Sequence, residues 1–171
     1  MRIALAISVV LALTSAAFAD DDVPKGEAGR PSDKGAFGIG LMLGEPTGIS
    51  AKLYLADDRA IDFALGGDLA ASGYEFHADY LFHPWILQQR DSFVLPVYLG
   101  PGVRLIDYNG GADASNHVAF GARAEVGILF DFKNVPLDTF IEVAGIFQYD
   151  FGAGKGFGVG GSVDAGVRYY F

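Results

Sequence analysis

Val163-Asp164-Ala165-Gly166-Val167-Arg168-Tyr169-Tyr170-Phe171, the last nine residues, decides the fold. Its odd positions Val163, Ala165, Val167, Tyr169 and Phe171 are all apolar. The even positions Ser162, Asp164, Gly166 and Arg168 are polar or glycine. Period-2 alternation is the mark of a strand with one apolar and one polar face.

The same pattern runs backward through the chain from about Gly35. Strand 1 is read over Ala36–Leu43, strand 2 over Ile49–Leu55, and strand 3 sets Ile61, Phe63 and Leu65 against Asp62, Ala64 and Gly66. Strand 4 sets Tyr74, Phe76, Ala78, Tyr80 and Phe82 against Glu75, His77 and Asp79. Strand 5 holds Leu95, Val97, Leu99, Val103 and Leu105 on one face. Strand 6 runs from Val118 to Ile128, strand 7 carries Ile141, Val143, Phe147 and Tyr149, and strand 8 runs from Phe157 to the end. Turn residues separate them: Gly44–Gly48, Asp57–Arg59, Asp68–Gly73, Lys133–Pro136 and Phe151–Gly156. Pro84–Ser92 reads as a longer link. Pro96 and Pro101 each remove a ladder donor, so a bulge or bend is expected near them. Eight antiparallel strands place both ends of the sheet on one side.

Ahead of the alternation, Met1-Arg2, the apolar run Ile3–Leu13 and Ala17-Phe18-Ala19 have the order of a secretory signal, expected to be cleaved before Asp20. The apolar run is too short to cross a bilayer as a helix, which takes ~20 residues. Residues 20–34, rich in Asp, Gly and Pro, are expected to be unstructured, and residues 35–171 to form one domain. There is no cysteine, so no disulfide framework and no lipid anchor. The net charge of −9 argues against nucleic acid as a partner.

An alternating sheet closed into a barrel can hide its apolar face inside, as in a soluble lipocalin-like binder, or turn it outward to lipid. The polar face decides. It carries Gly38, Gly40, Gly66, Gly100, Gly102, Gly121, Gly127, Gly158, Gly160 and Gly166. Glycine is a poor choice for a solvated strand but fits a narrow interior, where large side chains from eight strands do not all have room. The apolar face has its rings toward the strand ends, as in the aromatic girdles of a membrane barrel. Val143→Arg is therefore expected to be costly and Gly127→Ser mild.

The alternation, the strand count and the aromatic last residue resemble the small eight-stranded outer-membrane barrels of the OmpA-transmembrane-domain and OmpX type, over Gly35–Phe171. The resemblance implies an all-β, eight-stranded antiparallel up-and-down transmembrane barrel in the outer membrane of a Gram-negative-type cell. It implies a monomer in contact with outer-membrane lipids, with both sheet ends in the periplasm. It also implies that Tyr169 and Phe171 belong to a signal read by the barrel-assembly machinery. No peptidoglycan-binding segment is expected after the barrel.

On this reading the interior receives Lys52, Arg104, Arg123 and Arg168, with Asp62, Glu75, Asp79, Glu125, Asp138, Glu142 and Asp164. Opposite charges confined there must pair, and a salt-bridge network that fills the lumen is the leading expectation. A narrow ion or small-solute path is the alternative. Glu75, His77 and Asp79 share one strand face and could hold a metal or exchange protons. Three residues on one strand do not converge on an ion without neighbours, so no metal and no cofactor is expected. Asp107–Asp113 has oxygen ligands at short spacing, but Val118 stands where a calcium loop needs its glutamate. It reads as a surface turn open to recognition. Lipid-modifying enzymes occur on this scaffold. A deacylase-type His-x-Ser is absent, since Asp79, Trp85 and Ala119 lie two places after His77, His83 and His117. No enzymatic activity is expected.

Overall fold

The computed structural model describes residues 34–68, 73–108, 116–152 and 155–171. The expected signal sequence, the segment 20–33, residues 109–113 of the Asp107–Asp113 loop, and residues 69–72 and 153–154 of the expected turns lie outside the described residues. Eight strands follow one another: β1 Phe37–Leu43, β2 Thr47–Ala56, β3 Arg59–Asp68, β4 Gly73–Gln89, β5 Phe93–Tyr108, β6 His117–Phe132, β7 Leu137–Asp150 and β8 Gly156–Tyr170. Each pairs antiparallel with its sequence neighbours, and β1 pairs with β8, so the sheet closes as an up-and-down barrel. The C-terminal residue helps to seal it, the Phe171 amide donating to the Phe37 carbonyl at 2.9 Å.

The register fixes the girth. Stepping through paired residues once around leads from Tyr170 to Gly38, Lys52, Asp62, Asp79, Gly102, Arg123, Ile146 and back to β8 at Gly160. The circuit thus climbs ten residues along β8, from 170 to 160. With ordinary strand spacing, eight strands and this stagger give a strand tilt of about 40° and a backbone radius of about 8 Å. Side chains fill such an interior.

The apolar face points outward. Exposed Leu41, Leu65, Tyr74, Phe120, Ile141, Phe157 and Phe171 ring the barrel, while Asp62, His77, Arg123, Glu142 and Arg168 are buried within it. Outer rings cluster at both ends. Tyr169–Phe171 and Tyr80–Phe82 meet edge-on near the termini, and Tyr149–Phe157 does so at the far end.

One expectation about strand ends is corrected and one is met. Pro84–Ser92 is not a link, because β4 continues to Gln89. The bulge expected near the prolines of β5 is present, on the neighbouring strand. β5 keeps one register with β6 from Phe93↔Phe132 to Tyr108↔His117. The irregularities fall in the β4–β5 pairing, between Phe82 and Trp85 and again between Ile86 and Gln88, with one extra β4 residue at each. A bulge on the neighbour accommodates donors that proline lacks.

The interior is not uniformly polar. Leu81, Tyr98, Leu129, Phe140 and Tyr170 are buried inside, near the termini end. Glycine makes room for these rings: a Cβ on Gly127 would collide with the Tyr98 ring, and one on Gly166 with Phe140. Gly127→Ser is thus not the mild change that the alternation suggested.

Candidate functional site

All twelve residues assigned to the interior from the sequence lie there and are buried: Lys52, Asp62, Glu75, His77, Asp79, Arg104, Arg123, Glu125, Asp138, Glu142, Asp164 and Arg168. Tyr169 and Phe171 are on the outer face, exposed. Strand alternation aims the first set inward, and the stagger spreads it over the height of the barrel in three tiers.

Nearest the termini, Arg168 on β8 is the hub. Its Nε donates to Asp138 Oδ1 at 3.2 Å, and its Nη1 pairs with Asp62 and reaches Ser50 Oγ at 3.4 Å. Its guanidinium lies 3.9 Å from the Phe140 ring centre. Tyr170 Oη donates to the other oxygen of Asp138 at 2.5 Å. Beside this hub Lys52 Nζ lies 3.0 Å from His83 Nε2 and 4.5 Å from the Tyr98 ring centre. An ammonium only donates, so His83 Nε2 accepts.

In the middle tier Arg123 on β6 gathers partners from three strands. Its Nε is 3.0 Å from Asp79 Oδ1, its Nη2 2.6 Å from Glu125 Oε2 and 3.9 Å from Glu142 Oε1, and its Nη1 2.7 Å from His77 Nδ1. Glu142 in turn accepts from Tyr98 Oη at 2.6 Å. Toward the far end Arg104 Nη2 donates to Glu75 at 2.6 Å and Nη1 to Gln148 at 3.2 Å. Asp164 accepts from Ser162 Oγ at 2.8 Å and from the Glu45 amide at 2.6 Å.

Sequence reasoning missed two charges. Lys34, assigned to the unstructured lead segment, is buried at the termini end, paired with Asp131 and donating to the Leu137 carbonyl at 2.6 Å. Alternation carried two steps back from Gly38 would have put Lys34 on the inner face, and two steps on from Gly127 would have done so for Asp131. With these, the described interior holds five Lys and Arg residues (34, 52, 104, 123, 168) and eight carboxylates (62, 75, 79, 125, 131, 138, 142, 164), a surplus of three acids.

The group with metal-ligand chemistry is not Glu75–His77–Asp79 alone. His77 and Asp79 converge with Glu125 of β6, one ligand atom from each lying within 4.8 Å of the others. The histidine argues against an ion. Arg123 can only donate, so Nδ1 accepts and the proton of the neutral ring sits on Nε2. That proton occupies the lone pair a metal would need and faces Asp79 Oδ2 at 3.8 Å. The arrangement suits a proton-bearing network braced by arginine.

No protein-family model and no curated protein matches the chain. Among solved structures, the crystal structure of the N-terminal β-barrel domain of Pseudomonas aeruginosa OprF is similar to it, with a TM-score of 0.52 and 17% identity, covering 81% of this chain and 100% of that one. The chain has the fold of the small, eight-stranded outer-membrane barrels of the OmpA type.

Proposed function

We propose that the protein is an integral barrel of a bacterial outer membrane, inserted with both ends of the sheet toward the periplasm. Its role there is structural or interactive, without catalysis. One observation carries this reading: a continuous apolar band faces outward while the charges of the wall are turned inside. In water such a surface would aggregate; in a bilayer it is the matched solvent, and a closed sheet leaves few backbone groups unpaired. The tiers of Arg168, Arg123 and Arg104 across the interior support a lumen closed by side chains, which weighs against a water-filled pore.

Expressing the precursor in a Gram-negative bacterium and fractionating the envelope tests the proposal. The expected result is recovery in the outer-membrane fraction with a gel mobility that shifts on boiling. Recovery in the soluble periplasm would overturn it. Stepwise conductance of the purified barrel in planar bilayers would favour the narrow-channel alternative over a braced lumen.

A further inference from the structure

The outward apolar band does not have one height all round the barrel. At the seam β1 has seven residues and β8 fifteen, and their pairing stops at Leu43↔Ala165. The register converts into heights along the axis: one residue along a strand climbs about 2.5 Å, and one step from strand to strand in chain order about 3 Å. Measured from Tyr170, Leu43 and Ile49, the outward residues nearest the β1–β2 turn, stand at about 16 and 14 Å. Outward Val159, Tyr149, Val118 and Phe157 stand at about 27, 29, 31 and 32 Å. Because the strands slope, this crest of β6–β8 comes to stand across the barrel from the β1–β2 turn. The lower limit is level: Leu55 and Leu137 both lie about 1 Å below Tyr170. Among the described residues the band is therefore a wedge, about 17 Å tall beside the turn and about 33 Å tall beneath the crest.

An apolar layer ~25 Å thick fits neither side of an upright wedge. On one side the turn Gly44–Thr47, with the Glu45 carboxylate, would lie about 7 Å beneath the outer edge of the layer. On the other side the crest would stand in water, although Val159 is 85% and Phe157 72% exposed. One rotation relieves both misfits. The middle of the band lies at about 8 Å beside the turn and about 16 Å beneath the crest, across an outer diameter of about 24 Å, which is a slope of about 20°.

We propose that the barrel stands obliquely in the bilayer, its axis leaning about 20° from the membrane normal toward the crest of β6–β8. The crest then forms a lipid-contact surface sunk into the outer leaflet, and the β1–β2 turn rises to the headgroups. The proposal rests on the membrane reading above. Mismatch between an apolar band and the bilayer costs more with every ångström. Upright, the wedge places its whole misfit, about 8 Å too short on one side and about 8 Å too tall on the other, at the outer leaflet. Leaning divides it between the two leaflets, about 4 Å in each. The lower rim agrees in its chemistry. The Asp57-Asp58-Arg59 turn lies beneath the crest, with the Arg59 side chain 53% exposed on the outer face. Leaning carries this turn away from hydrocarbon, and Trp85 beside it goes to headgroup depth, where tryptophan is favoured. On the raised side the outward residues at that level are Leu137, Tyr169 and Phe171, none with a charged side chain.

The chain has no cysteine, so single nitroxide labels report individual positions. Two pairs of outward residues share a height but lie on opposite sides: Leu43 and Ala124 at about 16 Å, and Leu137 and Leu55 at about 1 Å below Tyr170. Leu43→Cys, Ala124→Cys, Leu137→Cys and Leu55→Cys are each labelled in phosphatidylcholine vesicles after boiling-sensitive mobility confirms folding, with Val143→Cys as the mid-band reference. Depth is read from collision with oxygen against collision with a water-soluble nickel complex. The expected result is that Ala124 lies deeper than Leu43, and Leu137 deeper than Leu55, each by about 7 Å. Equal depths within both pairs, or differences of the opposite sense, would overturn the lean. A difference in one pair alone would mean that the bilayer thins and thickens around an upright barrel, which overturns the lean as well. Nickel access at Val143 would overturn the membrane reading itself.

Discussion

Replacing Arg168 by methionine is the sharpest perturbation of the interior. The side chain is fully buried and is the cation between Asp62 and Asp138, which are themselves buried. Methionine keeps much of the volume and the packing on Phe140 but leaves two carboxylates facing each other. Removing one partner of a buried ion pair costs about 3–5 kcal/mol, because the remaining charge is stranded. Replacing the whole group by neutral residues costs far less, so Arg168→Met combined with Asp62→Asn and Asp138→Asn is expected to lie within about 1–2 kcal/mol of the parent. In Asp138→Asn the side-chain amide oxygen still accepts from the Tyr170 hydroxyl. Reversible urea unfolding from phosphatidylcholine vesicles reads both values. Trp85, the single tryptophan, stands 59% exposed on the outer face and reports on lipid contact. A loss below about 1 kcal/mol for Arg168→Met, or a triple variant no better than the single one, would refute the reasoning. The first result would mean that water reaches these carboxylates; the second would mean that the loss comes from the missing guanidinium contacts and not from stranded charge.

Three further changes are read by the same assay. Val143, outward and paired with Val126 and Val163 at mid-strand, should lose about 2–4 kcal/mol as arginine. A neutral outcome would reverse the face assignment. Gly127→Ser should cost about 1–3 kcal/mol by forcing the buried Tyr98 ring aside, while Gly145→Ser should change stability by less than about 0.5 kcal/mol, since nothing lies within 4 Å of its missing Cβ. Equal effects would mean the Tyr98 side chain is not held in place. Lys34→Ala should lose about 1–3 kcal/mol from its bonds to Asp131 and the Leu137 carbonyl. No loss would show that the lead segment does not close this end.

Much of the fold was legible because alternation is a local signal. Val163 to Phe171 states its faces without any other strand, and Asp164 and Arg168, on its polar side, are buried. What escaped depends on partners. Leu81 and Leu129 sit on the inner face as apolar residues, and only the cluster they form with Tyr98 and Phe140 explains their presence. Pro84 reads as a breaker, yet β4 passes through it with bulges that only its pairing with β5 requires. The convergence of His77 and Asp79 with Glu125 depends on the offset between β4, β5 and β6, a quantity that no single strand carries. The same holds for the unequal seam. Strand lengths hint at it, but the stagger alone decides that β1 ends so far short of β8.

The seam between first and last strands also governs how the molecule can form. Gly38 pairs with Tyr170, a separation of 132 positions (170 − 38). Every other ladder joins neighbours in sequence, so seven hairpin contacts can assemble locally while the eighth waits for the whole chain. Until it is made, β1 and β8 are two raw edges, and in lipid there is no water to satisfy them. In a bilayer, an incomplete chain would therefore hold no stable fraction of the final state. Ring closure is an all-or-none event settled by the six pairs of the shortest strand. Sequence changes confined to Phe37–Leu43 should weigh on assembly out of proportion to the size of that strand.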